Sequence, residues 1–230
     1  MKLVFIHGAG GTMDIWHYQM KHFSEADAID LPGRGIGEPC STIEDYMEWV
    51  RGYIQQYEDQ NIVLVGHSMG GAIVQLFALN YPEKVRGIVL ISTGAKLRVN
   101  PMFLDALKAG TEGNSAALDE AFVYSCRFLE PEVADILAEK RKTVGHSIQL
   151  NDMLCCDKFD VMDRVCHINL PTLIVCGTED DMTLPKYSQY LANQIEGSKL
   201  MFIEGGTHLV VLEKPQVING AIADFVGTLA

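Results

Sequence analysis

The sequence has 230 residues, of which 48% are hydrophobic and 21% are charged, a composition typical of a globular protein with a large buried core. The formal net charge of −12 argues against binding to nucleic acids or to an anionic membrane surface. No run approaches the roughly 18 consecutive apolar residues that indicate a membrane span. The apolar stretch Leu3–Ile6 is also too short for a secretion signal, so we expect a cytoplasmic protein.

The cysteines support the same compartment. None of them shows a metal-ligand spacing or a redox CxxC motif, and we therefore expect reduced thiols. The six positions are Cys40, Cys126, Cys155, Cys156, Cys166 and Cys176.

Short β-rich runs alternate with helical patterns along the chain, which predicts a parallel sheet covered by helices on both faces. Most of these runs are apolar at consecutive positions, as in buried central strands. The predicted strands are Leu3–His7, Ala28–Leu31, Ile62–Gly66, Gly87–Ile91, Thr172–Cys176 and Leu200–Ile203.

A glycine-rich loop follows the first strand, with the sequence HGAGG over residues 7–11. Neither the GxGxxG dinucleotide fingerprint nor the GxxxxGK[ST] phosphate loop is present. The loop suits a backbone N–H that stabilises an oxyanion, and we assign that role to Ala9. His7 is expected to organise the loop rather than to act as a base.

Three helices are predicted at the sides of the sheet. A capping box at Ser41 and Glu44 should start the first of them, since apolar residues follow at helical spacing. A second helix is predicted over Met69–Leu79, ending before Pro82, and the last over Gln216–Leu229.

The strongest chemical signal is the run GHSMGG at residues 66–71, placed directly after a predicted strand and directly before a predicted helix. This is the context in which GxSxG forms a nucleophile elbow, a sharp turn that needs glycine on both sides. The pattern predicts Ser68 as a nucleophile. The helix N-terminus and the N–H of Met69 would stabilise a developing oxyanion.

Residues from about 93 to 165 interrupt the strand pattern, and we expect three or four short helices forming a lid. Asn100 and Glu130, each followed by proline, should open two of them, while Gly110 and Gly145 should end helices. Because the sheet pattern resumes at residue 170, the lid is predicted to be inserted in one domain spanning residues 1–230.

Two loops after the last predicted strands carry the remaining chemistry. The first contains Glu179, Asp180 and Asp181, and the second contains His208. A serine hydroxyl needs a base, and the base needs a carboxylate that fixes its tautomer. The order Ser68, acid, His208 is the chain order of the fold in which such nucleophile elbows occur, but the spacing alone leaves the choice among the three acids open.

Taken together, these motifs resemble the α/β-hydrolase superfamily over nearly the whole chain, and in particular its small lidded serine carboxylesterases. Residues 7–10 are similar to the family's oxyanion loop, residues 30–35 (DLPGRG) to its DxPGxG turn, and residues 206–208 to its histidine loop. Residues 177–185 resemble its GxxDxxxP acid loop, which selects Asp180.

The resemblance implies an all-parallel, doubly wound sheet of six strands, since the sequence begins at the strand that usually follows an N-terminal hairpin. It implies the strand order second, first, third, fourth, fifth, sixth. A second departure is Gly37, which stands where serine is common in the family.

The resulting hypothesis is hydrolysis of small, largely apolar carboxylic esters through an acyl-enzyme, a reaction that requires no metal and no organic cofactor. The expected substrate contacts are apolar residues of the lid, namely Met102, Phe103, Phe122, Met153 and Leu154. A carbon–carbon bond hydrolase or lyase with the same triad, and a small-molecule receptor with residual activity, stay open as alternatives. No partner surface is marked in the sequence, which leaves a homodimer open.

Overall fold

The computed structural model describes residues 1–57 and 61–229, and its centre is a six-stranded sheet in which all strands are parallel. The strand order β2-β1-β3-β4-β5-β6 is the order expected from the sequence. The strands are β1 (Lys2–Ile6), β2 (Asp27–Ile29), β3 (Ile62–His67), β4 (Gly87–Ile91), β5 (Thr172–Gly177) and β6 (Lys199–Ile203).

Helices cover both faces of this sheet, which confirms the doubly wound α/β class. The α-helices are α1 (His17–His22), α2 (Ile43–Ile54), α3 (Met69–Asn80), α4 (Pro101–Thr111), α5 (Ala116–Ser125), α6 (Pro131–Lys158), α7 (Pro185–Gln194), α8 (Val210–Glu213) and α9 (Pro215–Gly227). Short 3₁₀ helices occupy Met13–Trp16, Gln55–Tyr57, Pro82–Lys84 and Val165–His167.

Side chains of alternate residues in the central strands pack into two separate hydrophobic cores, one on each face of the sheet. Val4 and Leu64 pack with α2, α3 and α7 on one face, whereas Phe5 and Val65 pack with Trp16 and α9 on the other. Strands that are apolar at every position are thus explained by burial on both faces. This architecture brings the carboxyl ends of all six strands to one edge of the sheet.

The start of α2 lies one residue later than the predicted capping box. The helix begins at Ile43, and the N-cap is Thr42, whose Oγ accepts the N–H of Asp45 at 3.0 Å. Ser41 instead donates its hydroxyl to the Asp45 carboxylate at 3.0 Å. The capping residue is therefore Thr42, because its hydroxyl is the one that reaches an N–H of the first turn.

Residues 93–165, which we call the helical insertion, join β4 to β5 and contain α4, α5 and α6. Asn100 caps α4 as predicted, with its side chain accepting the Met102 N–H at 3.0 Å. Gly145 breaks α6 with a φ of 76°. Gly110 ends no helix, because α4 continues to Thr111; a Cβ at Gly110 would lie 2.6 Å from Leu118 Cδ1, so its role is close packing.

Candidate active site

Ser68 lies at a sharp turn between β3 and α3, with a φ of 54° and a ψ of −116°. Few non-glycine residues adopt a positive φ, and those that do concentrate at functional sites. The flanking glycines permit the turn: a Cβ on Gly66 would lie 2.3 Å from Gly70 O, and a Cβ on Gly70 would lie 2.2 Å from Ile6 O. The GxSxG spacing is thus a steric requirement of this backbone.

The turn is held in place by the neighbouring strand. The N–H of Ser68 donates to Ile91 O at 3.0 Å, and the hydroxyl of Thr93 donates to Ser68 O at 2.8 Å. Met69, which follows the serine, is the first residue of α3, so its N–H belongs to the helix end that lacks intrahelical partners. These contacts fix the backbone while the Ser68 side chain stays partly exposed.

His208 and Asp180 meet at the same edge of the sheet, in the loops after β6 and β5. Nδ1 of His208 lies 3.1 Å from each carboxylate oxygen of Asp180, and the two residues are 7% and 2% exposed. With Nδ1–H directed at the carboxylate, Nε2 of the neutral ring is the nitrogen able to accept a proton. Of the three acids in the loop, Asp180 is the one that contacts His208, whereas Glu179 and Asp181 are exposed.

A residue that the sequence analysis missed, Thr183, supports this pair. Its N–H and hydroxyl donate to the two carboxylate oxygens of Asp180, each at 2.8 Å, and its hydroxyl oxygen lies 3.2 Å from His208 Nδ1. The N–H of Met182 adds a bond of 3.0 Å to the same carboxylate. An aspartate followed by a threonine three residues later is a local turn pattern that could have indicated this contact.

Burial alone would raise the pKa of the Asp180 carboxyl. The Coulombic interaction with His208 and the hydrogen bonds from His208 and Thr183 outweigh that effect and hold its pKa well below the usual range. Asp180 therefore stays ionised, as required of a carboxylate that orients an imidazole and stabilises its charged form.

The loops that carry Asp180 and His208 are joined to each other. A Cβ on Gly177 would lie 2.1 Å from Gly206 O, and the N–H of Glu179 donates to that same oxygen at 2.9 Å. Glu213 accepts the N–H of Thr207 at 2.7 Å and also its hydroxyl. The acid and the histidine are consequently held as one unit.

Two further histidines beside the site are neutral. Burial, followed by the charge of Arg34, lowers the pKa of His7 to about 3, and burial, followed by the charge of His208, lowers that of His67 to about 3. The His7 ring lies between Gly8 O and the N–H of Leu31, at 2.8 and 3.1 Å, so it organises its loop. His67 Nε2 donates to His208 O at 2.8 Å, so this ring supports the loop that carries His208.

Ser68 and His208 open on a common cavity of about 560 Å³, between the carboxyl edge of the sheet and the helical insertion. The loop Gly8–Gly11, including Ala9, forms part of its wall, and a Cβ on Gly8 would lie 3.0 Å from Ser68 Cβ. In the described part of the chain, no hydrogen bond joins Ser68 Oγ to His208. Such bonds are often long in unliganded enzymes and shorten when substrate binds.

The insertion lines the cavity with some of the predicted substrate contacts. Phe103, Phe122 and Met153 face it, whereas Met102 is 76% exposed and Leu154 is 38% exposed, both outside the lining. Adjacent residues on a helix point about 100° apart, so one residue of each neighbouring pair faces inward. Met102 and Leu154, which we predicted as substrate contacts, therefore do not line the cavity.

The described ranges, 1–57 and 61–229, lack both a metal site and a membrane-spanning helix. They contain no cluster of three or more His, Cys, Asp or Glu side chains placed to hold a metal ion. Within the same ranges, every helix is too short or too polar to cross a membrane. All six cysteines are free thiols.

The fold and the geometry of this site are those of an α/β hydrolase, and a comparison with protein families agrees. The family model described as "Alpha/beta hydrolase family" matches residues 3–221. The chain therefore belongs to the alpha/beta hydrolase family.

Individual relatives show how far this similarity extends. Human protein ABHD8 is 27% identical over 97% of the chain, which spans about half (54%) of that relative's length. A pimeloyl-[acyl-carrier protein] methyl ester esterase of Neisseria meningitidis is 25% identical, with 98% of the chain and 92% of the relative covered. A lipase-esterase related protein of Clostridium acetobutylicum superposes with a TM-score of 0.80 at 25% identity, covering 97% of this chain and 93% of that one.

Proposed function

We propose that this protein hydrolyses carboxylic esters through an acyl-enzyme, with Ser68 as nucleophile, His208 as base and Asp180 as the acid. One observation carries the proposal: Ser68 and His208 open on one cavity while Asp180 holds Nδ1 of the histidine at 3.1 Å. The methyl ester esterase and the lipase-esterase related protein among the relatives support the same chemistry.

The reaction would run in two steps. Ser68 Oγ attacks the ester carbonyl as His208 Nε2 takes its proton, and the N–H groups of Ala9 and Met69 stabilise the oxyanion. The C–O bond to the alcohol then breaks, and the alcohol leaves with the proton from His208. Water, deprotonated by His208, attacks the acyl-enzyme, and Ser68 recovers its proton as the acid leaves.

The cavity favours a small, largely apolar ester. The helical insertion would act as a lid that supplies apolar walls through Phe103, Phe122 and Met153. Since drug-sized ligands occupy cavities of roughly 300–1,000 Å³, the volume suits one small molecule. The six free thiols favour a reducing compartment such as the cytoplasm.

Hydrolysis of p-nitrophenyl esters of graded chain length tests the proposal. The parent should turn over, and Ser68→Ala should lose that turnover, whereas Ser41→Ala, which removes an exposed hydroxyl, should retain it. A fluorophosphonate should label the parent at Ser68. A folded parent without ester turnover, or an active Ser68→Ala variant, would contradict the proposal.

A further inference from the structure

A buried ion pair connects the helical insertion to the sheet domain and has no part in the chemistry proposed above. Arg34 lies in the loop after β2, and Asp152 lies in α6 beyond the break at Gly145. Their side chains are 2% and 0% exposed and contact each other through Nη2 and Oδ2. Burying two charges is costly unless their remaining hydrogen-bonding groups are satisfied, so the partners of this pair are informative.

Two of the hydrogen-bonding partners of this ion pair are backbone groups of the loop that contains Ala9. The N–H of Gly10 donates to Asp152 Oδ2 at 2.9 Å, and Arg34 Nε donates to Gly11 O, also at 2.9 Å. The carboxylate is anchored from the other side by the hydroxyl of Tyr46, which donates to Oδ1 at 2.7 Å. The ion pair thus binds the peptide units immediately after Ala9.

Packing reinforces these bonds. Gly10 has a φ of 65°, and a Cβ at this position would lie 2.7 Å from Gln149 Cγ. Asn151 donates its side-chain amide to Cys40 O at 2.8 Å. One face of α6 beyond Gly145 is therefore fitted to the loops of the sheet domain.

We propose that Asp152 and Arg34 are positioning residues that hold the Ala9 N–H in the orientation needed to stabilise an oxyanion. The inference rests on the proposed function, and it makes the helical insertion a part of the catalytic apparatus as well as a cover. A glycine-rich loop has many accessible backbone conformations, so an outside contact must select the one that places Ala9. Interactions that hold reacting groups in register account for large parts of enzymatic rates, and a misplacement of 1 Å costs about 100-fold.

The experiment replaces both charges at once. Removing one partner leaves an uncompensated buried charge, whereas replacing a buried pair by apolar residues is often tolerated. The double variant Arg34→Met/Asp152→Leu should fold, and its kcat for p-nitrophenyl esters should fall about 10- to 100-fold. KM should change little, because the apolar walls of the cavity stay in place.

A milder variant and a matched control are measured alongside the double variant. Tyr46→Phe removes one hydrogen bond from the carboxylate and should produce a smaller loss of kcat in the same direction. Glu139→Gln changes an exposed carboxylate on the same helix and should keep the parent's kcat. An alkyl boronic acid, whose serine adduct places an oxygen in the oxyanion hole, should bind the double variant more weakly by a factor close to the loss of kcat/KM.

Hydrogen exchange of the amides of residues 8–11 reports on the loop independently of turnover. Faster exchange in the variants, with a lower kcat, would support the inference. Unchanged exchange and unchanged kcat in the folded variants would overturn it, as would a rise in KM alone. An inactive parent, or an active Ser68→Ala variant, would instead contradict the proposed function while the exchange data still report whether Asp152 orders the loop.

Discussion

His208 receives its orientation from a carboxylate that is itself immobilised. Two backbone N–H groups and the hydroxyl of Thr183 bind Asp180, so the carboxylate cannot turn away from the imidazole. With both carboxylate oxygens 3.1 Å from Nδ1, the tautomer with the proton on Nδ1 is favoured. The His208 ring is therefore fixed in orientation by contacts within the protein itself.

Replacement of Asp180 by asparagine tests this arrangement. An amide can donate to Nδ1 and stabilise the wrong tautomer, so Asp180→Asn should lower kcat by about 10³- to 10⁴-fold. Glu179→Gln, an exposed neighbour in the same loop, should retain the parent's rate. Steady-state kinetics on a p-nitrophenyl ester measure both. Equal losses in the two variants would show that Asp180 has no special role.

In the turn between β3 and α3, the backbone of the strand and the backbone of the helix lie so close together that no side chain fits between them. The carbonyl of Gly70 occupies the space where a Cβ of residue 66 would stand, 2.3 Å away. Gly52, on the exposed side of α2, has no atom within 4 Å of its own Cβ position. Replacement of glycine by alanine should thus change the free energy of unfolding in opposite directions at the two positions.

Gly52→Ala should stabilise the protein by about 0.5–1 kcal/mol, because alanine loses less conformational entropy in a helix. Gly66→Ala should destabilise it by at least about 3 kcal/mol, because the backbone must move to relieve the overlap. Urea unfolding followed by circular dichroism gives both values. A Gly66→Ala variant as stable as the parent would show that the turn can shift at little cost.

For the whole molecule, the two neutral histidines make stability depend on pH. In the unfolded chain a histidine has a pKa of about 6.5, whereas burial lowers the pKa of both His7 and His67 to about 3. Between these values the unfolded state binds more protons. The stabilisation is therefore complete above pH 6.5 and is lost as the pH falls from about 6.5 towards 3.

The free energy of unfolding should accordingly fall from pH 7 to pH 5, by up to about 1.4 kcal/mol per pH unit for each histidine once the pH is below 6. His67→Gln should reduce this slope, because the glutamine side chain takes up no proton in this pH range. Urea unfolding at several pH values measures the slope separately from the absolute stability. A parent whose stability is independent of pH in this range would contradict the expectation.

The strands and the Ser68 turn were predictable from the residue pattern of the sequence, whereas the strand order was predicted from the family resemblance. Strands buried on both faces are apolar at every position, so their pattern is readable without knowing their partners, and β4 matches its prediction at both ends. The GxSxG glycines are likewise required by a local collision. Short helices such as α1 and α7 escaped prediction, because a few turns carry too little periodicity.

Which distant residues support and line the site was evident only in the tertiary structure. Asp152 and Arg34 are 118 positions apart, and no local pattern indicates that they pair beneath the glycine loop. The rotation of α4 about its axis, set by packing, decided that Phe103 faces the cavity and Met102 the solvent. The physical reason is that steric and burial constraints act on neighbouring residues, whereas the supports and walls of the site depend on contacts between distant ones.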